Sequence, residues 1–417
     1  MRNKILSLMQ NPATSGILIF IAAVAAMLVE NSPLDKLYNE LLNIPVSIQF
    51  GNLKIEKPLL LWINDGLMAV FFFTVGMELK REFLGGKLSK PANAMLPVIG
   101  AVGGIVAPAA IYALFNHADA SALEGWAIPT ATDIAFAVAV LTLLGKRVLP
   151  ELKLFLLTLA IIDDLAAIVI IAMFYTTDLA IGSLVIALVA IMVLTAMNLS
   201  GVRSIPLYVL VGAVLWVAVL KSGVHATLAG VVVAMAVPLR GRAGEPSPLY
   251  QLEHDLHHLV VLGILPLFAF ANAGVPLDGF SFDDLLQPIP LGIALGLVLG
   301  KQVGVYSFVW LGVKTGFAKK SEHVSWAQIY GVALLCGVGF TMSLFISSLA
   351  FEHSGTAIIS GIPEAGSARL GILVGSFISG ILGYLVLLLS YREPESTPVA
   401  RRGRAVTKAS SRRRLGY

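Results

Sequence analysis

The sequence predicts an all-α polytopic membrane protein, and three observations carry that reading. Of 417 residues, 57% are hydrophobic and only 13% charged, with a mean hydropathy of +0.86. Soluble domains run at roughly 25% charged, so the chain lacks the polar surface that would coat a water-soluble globule. The apolar residues fall into long runs, against the roughly 20 residues a helix needs to cross a bilayer core. Finally, Lys and Arg gather in alternate loops. A soluble enzyme is excluded. Cys336, the single cysteine, offers neither an intramolecular disulfide nor a zinc pattern.

Twelve runs centre on residues 16–29, 59–75, 95–115, 126–144, 154–175, 181–197, 207–220, 224–237, 259–273, 289–310, 327–350 and 370–389. The seventh and eighth are short and separated only by Lys221, Ser222 and Gly223, so eleven spans is the rival count. Sidedness arbitrates, because a miscounted span inverts every later loop. With twelve, one side collects most of the 29 basic residues, including Arg2, Lys4, Lys80, Arg81, Lys146, Arg147, Lys153, Arg240, Lys319 and the basic tail. The other side keeps only Lys36, Lys54, Lys57, Lys221 and Arg369. Positive residues mark the cytoplasmic side, which places both termini there. The first run, behind Arg2 and Lys4, also resembles a signal peptide; the later topology would survive its cleavage.

In the longest outer loop, Val46 to Phe50 and Leu53 to Lys57 alternate apolar and polar residues around Gly51-Asn52, the pattern of a β-hairpin. It is either a solvated loop or an exposed edge that pairs with another subunit. The chain divides into one transmembrane domain, 1–391, with the hairpin at about 45–58, and a basic tail, 392–417, that reads as disordered and able to touch anionic lipid. Nucleic-acid binding has only that tail, and a pI near 9.0, to recommend it.

Ionisable groups inside spans cost several kcal/mol unless paired or hydrated, so each is a functional candidate. There are five: Asp65, Asp133, Asp163, Asp164 and Lys301. Asp163 and Asp164 are adjacent in mid-span, and neighbours on a helix point about 100° apart, so one partner cannot bridge both. Two carboxylates this close in low dielectric repel and titrate as a coupled unit, as a cation and proton site requires. Lys301 could neutralise one of them as a fixed ion pair, which leaves the other acids needing protons or cations. Asp65, near the outer end of its helix, is an N-terminal cap or a transport residue. Two spans look broken: Pro129, Thr130 and Thr132 precede Asp133, and Gly337 and Gly339 interrupt the eleventh run. Paired interrupted spans in the two halves of a chain point to a transporter site built from half-helices, whose end charges Asp133 and Lys301 could offset.

From the first span to about Leu389 the chain resembles the bacterial NhaA-type sodium/proton antiporters. The resemblance rests on Leu61-Trp62-Ile63-Asn64-Asp65, Ala131-Thr132-Asp133-Ile134-Ala135-Phe136, Ala160-Ile161-Ile162-Asp163-Asp164, Gly223-Val224-His225-Ala226-Thr227, Phe268-Ala269-Phe270-Ala271-Asn272-Ala273-Gly274 and Cys336-Gly337-Val338-Gly339-Phe340-Thr341-Met342-Ser343, all in order. It implies twelve helices in inverted repeats, an architecture that comes with the family and not from the residues. It also implies that helices 4 and 11 are unwound and cross at mid-membrane. Asp163 and Asp164 would form the Na+ and proton site with Thr132 and Asp133 nearby, and Lys301 would pair with Asp163 or balance helix-end charge. A pH-sensing region would match Glu78, Arg81 and Glu82 after the second span and Glu253, His254 and His257 before the ninth, with His225 at the outer start of the eighth. Read by themselves, these are ordinary charges at helix ends, although histidine titrates in the physiological range. The chain departs from the family in Gln302, where relatives often have Pro, in Asp255 and in the length of its tail.

The expected function is pH-regulated, electrogenic exchange of Na+ or Li+ for H+ by alternating access across the bacterial inner membrane. No cofactor, no enzymatic activity and no nucleic-acid partner are expected, and a homodimer through the periplasmic hairpin is. The alternatives are a sodium- or proton-coupled carrier of organic solutes on the same scaffold, or an ion channel.

Overall fold

A computed structural model describes residues 12–51, 53–89, 91–176, 179–241, 247–351, 358–359 and 362–391. Arg2, Lys4, Asn52 of the hairpin turn and the tail 392–417 lie outside these residues.

The described chain is almost wholly helical. It opens with α1 (Pro12–Glu30) and a short amphipathic α2 (Asp35–Asn43). An antiparallel hairpin follows, β1 (Pro45–Phe50) and β2 (Leu53–Pro58), with Phe50 opposite Leu53 and Ile48 opposite Ile55. Gly51 takes φ +58° at the turn, a conformation that glycine adopts without a Cβ clash. Helices α3 (Leu59–Leu84), α4 (Pro91–Asn116), α5 (Ala120–Thr130), α6 (Ile134–Leu143), α7 (Pro150–Phe174) and α8 (Ile181–Leu199) come next. Then come α9 (Ile205–Leu220), α10 (Thr227–Ala236), α11 (Pro248–Asn272), α12 (Pro288–Lys314), α13 (Trp326–Leu335) and α14 (Phe340–Ala350). A two-residue pairing of β3 (Ile358–Ile359) with β4 (Ile362–Pro363) leads into α15 (Glu364–Leu389).

Eight of these helices are long and apolar enough to cross a membrane, and two bent pairs raise the number to ten. The pairs are α5 with α6, bent by 42°, and α13 with α14, bent by 43°, at the two places where the sequence looks broken. The shorter α9 and α10 are also apolar.

Burial separates centre from periphery. The most apolar stretch of α7 is 67% buried and that of α8 only 17%, so α7 runs through the protein interior while α8 offers Ile181, Val185 and Met192 outward. With lipid as solvent such exposure costs nothing, and the interior collects the polar groups instead. Helix α12 reaches the centre by close approach to α4. A methyl group on Gly103 would overlap the Gly304 carbonyl, and one on Gly304 would overlap that of Gly103. Small residues at a membrane helix crossing allow this backbone contact. One turn earlier on α12, Lys301 passes Gly104 into the interior.

Candidate functional site

The two helix breaks meet. Ala131 and Asp133 are extended between α5 and α6, and Cys336 to Gly339 separate α13 from α14. The Asp133 amide donates to the Val338 carbonyl at 2.7 Å, the Thr132 hydroxyl lies 2.9 Å from the Cys336 carbonyl, and the Ser343 hydroxyl donates to the Ile128 carbonyl at 2.7 Å. Each break thus satisfies backbone groups of the other, without which unwound backbone at this depth would be prohibitive.

Asp133 finishes the junction. Its Oδ1 accepts the Phe136 amide at 2.9 Å, capping α6, while Oδ2 accepts the Thr341 amide at 3.1 Å and the Thr341 hydroxyl at 2.5 Å in the first turn of α14. One carboxylate therefore faces the N-terminal ends of two helices, where unsatisfied amides and partial positive charge favour an anion. Ser376 of α15 accepts the Gly339 and Phe340 amides at 3.2 and 3.1 Å. Thr341, Ser343 and Ser376 were not singled out from the sequence. The available signal for the first two was a pair of hydroxyls, Thr341 and Ser343, just past Gly339 in an otherwise apolar span.

The neighbouring acids on α7 have different surroundings. Asp163 Oδ2 lies 2.6 Å from Lys301 Nζ and 2.7 Å from the Thr132 hydroxyl, and the Asp163 and Lys301 side chains are wholly inaccessible. Neither oxygen of Asp164 has a hydrogen-bond partner among the described residues, nor does Asp163 Oδ1. Asp164 instead lines a cavity of about 530 Å³, together with Asp133, Thr341, Glu78, Lys153, His254, His257 and His258. Asp163, Thr132 and Lys301 do not line it. The 100° between adjacent residues turns one acid toward α12 and the broken pairs and the other toward the cavity.

The charged residues around the cavity form a second cluster. Arg81 binds Glu253 at 2.6 Å, Glu82 at 3.3 Å and Glu78 at 3.6 Å. Glu78, Arg81 and Glu82 lie within the last turns of α3, and Glu253, His254 and His257 within the first turns of α11. Both helices extend beyond the limits that hydropathy suggests, since polar residues end an apolar run without ending a hydrogen-bonding ladder. His225 is not part of this cluster. It stands between α9 and α10, with its carbonyl accepting the Leu228 amide, and nearby Lys221 donates to the Lys54 carbonyl of the hairpin. His258 joins the cavity wall without having been picked out.

Asp65 is neither a helix cap nor part of the cavity. It pairs with Lys57 of β2 at 2.7 Å from within a π-turn, Ile63–Leu67, tying the hairpin to α3. Adjacent Asn64 exchanges amide hydrogen bonds with Asn272 at the far end of α11, at 3.2 and 2.8 Å.

A bundle of membrane-length helices, two of them broken where they meet, around buried carboxylates and one buried lysine, defines a secondary active ion transporter. A family model described as Na+/H+ antiporter 1 matches residues 7–387, and the chain belongs to that family. It is 67% identical over 385 residues to Na(+)/H(+) antiporter NhaA 1 of Magnetococcus marinus, covering 92% of this chain and 97% of that one. It is 54% identical over 394 residues to Na(+)/H(+) antiporter NhaA of Pseudomonas putida, covering 94% and 99%. Among solved structures, the sodium proton antiporter of Methanocaldococcus jannaschii at pH 8 matches with a TM-score of 0.51 at 14% identity, over 91% of this chain and 92% of that one, a likeness of fold. The chain is thus a multi-pass protein of the bacterial inner membrane.

Proposed function

We propose that the protein expels Na+ or Li+ in exchange for protons by alternating access, with Asp163 and Asp164 as the cation and proton site. The observation that carries this reading is the asymmetry of the pair: Asp164 lines a cavity with both oxygens unpartnered among the described residues, while Asp163 is held by Lys301 and Thr132. A cation reaching Asp164 meets a buried acid whose oxygens suit a hard ion. To engage Asp163 as well, it must displace the Lys301 ammonium. Protons arriving in the opposite conformation neutralise the carboxylates and release the ion. Two protons for one monovalent ion would move one net charge inward, so membrane potential contributes about 2.3 kcal/mol per 100 mV. Asp133 and Thr132 hold the junction beside the site, and Lys301 compensates charge.

In this reading the eight long helices, the two bent pairs and α9 and α10 make twelve spans in inverted repeats. The fourth and eleventh are the broken ones, crossing at mid-membrane. Residues 1–391 form the transporter domain and 392–417 a cytoplasmic tail, with both termini inside. The Arg81 cluster with Glu78, Glu82, Glu253, His254 and His257, and separately His225, senses pH, and the hairpin edge joins two protomers. Everted vesicles test the central claim: Na+ and Li+ should collapse an imposed ΔpH, and Asp164→Asn should abolish the response. Exchange persisting in that variant overturns the site assignment. Flux without proton coupling would mean a channel, and a response only to an added organic solute would mean a coupled carrier.

A further inference from the structure

A second built feature lies away from the ion site, in a groove of about 350 Å³ between α4, the start of α7 and the segment joining α12 to α13. Its walls are apolar, with Leu152, Phe155 and Ile329 among them. Its lining carries charges of both signs: Glu151 from the first turn of α7, and Lys319 and Lys320 from the joining segment. Glu151 and Lys319 are exposed, and neither makes an ion pair within the described residues, although they share one groove. Lys320 is held differently: it donates to the Ser321 carbonyl at 2.9 Å and to the Val324 carbonyl, and stands over the Trp326 ring.

Several features put this rim at the level of lipid headgroups. Trp326 and Tyr306 pack edge to face at 5.8 Å between ring centres, and Lys314 stands 4.6 Å over Trp310. Tryptophan and tyrosine concentrate at the membrane–water boundary, and lysine stems lie along apolar surface while their ammonium groups reach the headgroups. Phe317, just before the two lysines, is 76% exposed, an apolar side chain available to the acyl region beside the rim.

We infer that this groove is a specific site for an aminophospholipid, a zwitterionic lipid with a primary ammonium headgroup. A purely anionic lipid would satisfy Lys319 but meet Glu151 with like charge. A phosphate beside Lys319 with a primary ammonium donating to Glu151 pairs both ends of the groove at once. A trimethylated headgroup carries the same charge but has no N–H to donate, so its contact with Glu151 is weaker. The acyl chain descends past Leu152 and Phe155 along α7. Thr158, at the inner end of the groove, is five residues before Asp163 on the same helix, so the lipid braces the helix that bears both acids.

The test uses the purified full-length protein in detergent, titrated with phosphatidylethanolamine, phosphatidylcholine or phosphatidylglycerol and read by native mass spectrometry and by thermal melting. Wild type should retain phosphatidylethanolamine at least threefold more tightly than phosphatidylcholine and melt at a higher temperature with it. Glu151→Gln should remove that preference while keeping phosphatidylcholine binding, and Lys319→Gln should weaken all three lipids. Both residues are exposed, so melting without lipid should match wild type and show that the variants fold. Equal binding of the two zwitterionic lipids by wild type, a preference surviving Glu151→Gln, or tightest binding of phosphatidylglycerol overturns the assignment. None of these results bears on ion exchange at Asp164.

Discussion

Lys301 Nζ and Asp163 Oδ2 lie 2.6 Å apart with both side chains wholly inaccessible, while Asp164, the next residue, has no hydrogen-bond partner on either oxygen among the described residues. The stabilities of the two acids therefore depend on different groups. Removing one member of a buried ion pair costs about 3–5 kcal/mol, because the other stays buried and charged, whereas removing both is often close to neutral. Lys301→Gln should lower the melting temperature in detergent sharply, and adding Asp163→Asn should recover most of the loss. A double variant no more stable than the single one would mean that the pair does not act as a unit.

Asp164→Asn breaks no hydrogen bond in the described structure and removes a buried charge. Its melting temperature should equal or exceed that of wild type, while Asp163→Asn, which strands Lys301, should melt lower. Thermal melts of the two variants side by side separate these outcomes, and equal destabilisation would contradict the asymmetry.

Thr341 supplies Asp133 with two donors, one of them its hydroxyl. Hydrogen bonds to charged groups contribute about 1.5–3 kcal/mol. Thr341→Val should destabilise by about that much, and Thr341→Ser, which keeps the hydroxyl, should recover most of it. Chemical or thermal unfolding of the three proteins measures the difference.

The cavity is lined by Glu78, Lys153 and the histidines of α11, and the proposed topology puts these residues on the cytoplasmic side. Leu157→Cys and Leu262→Cys, both on the cavity wall, should react with a charged thiol reagent added to everted vesicles. Ala269→Cys, fully buried on α11 and off the cavity wall, should not. Native Cys336 is buried and should give no background. Labelling of Ala269→Cys at the rate of the cavity positions would mean that the cavity is not the route of access.

Much of this protein was legible because a membrane makes charge conspicuous. Asp133, Asp163, Asp164 and Lys301 stand out within apolar runs, and the glycines after Cys336 and the proline before Asp133 mark the breaks. The hairpin followed from two alternating strands around Gly51. Less legible was what each group touches. Asp65 reads equally as a cap or a transport residue until Lys57 is seen beside it. The Arg81 cluster was divided between two loops because hydropathy ends a helix where its apolar face ends, although its backbone ladder continues.

The sequence by itself determined that the chain crosses a bilayer, where two helices break, and which acids are buried. These are properties of composition along one dimension, and burial in lipid penalises each residue by its own chemistry. Only the tertiary structure decided that Asp163 pairs with Lys301, 138 residues away, that Asp164 keeps its oxygens for the cavity, and that Asp133 caps two helices. Helical periodicity sets the angle between neighbouring side chains but not the direction in which either points. That direction follows from how α7 packs against α12 and the two broken pairs, which the close Gly103–Gly304 contact and the shared backbone bonds of the breaks settle together.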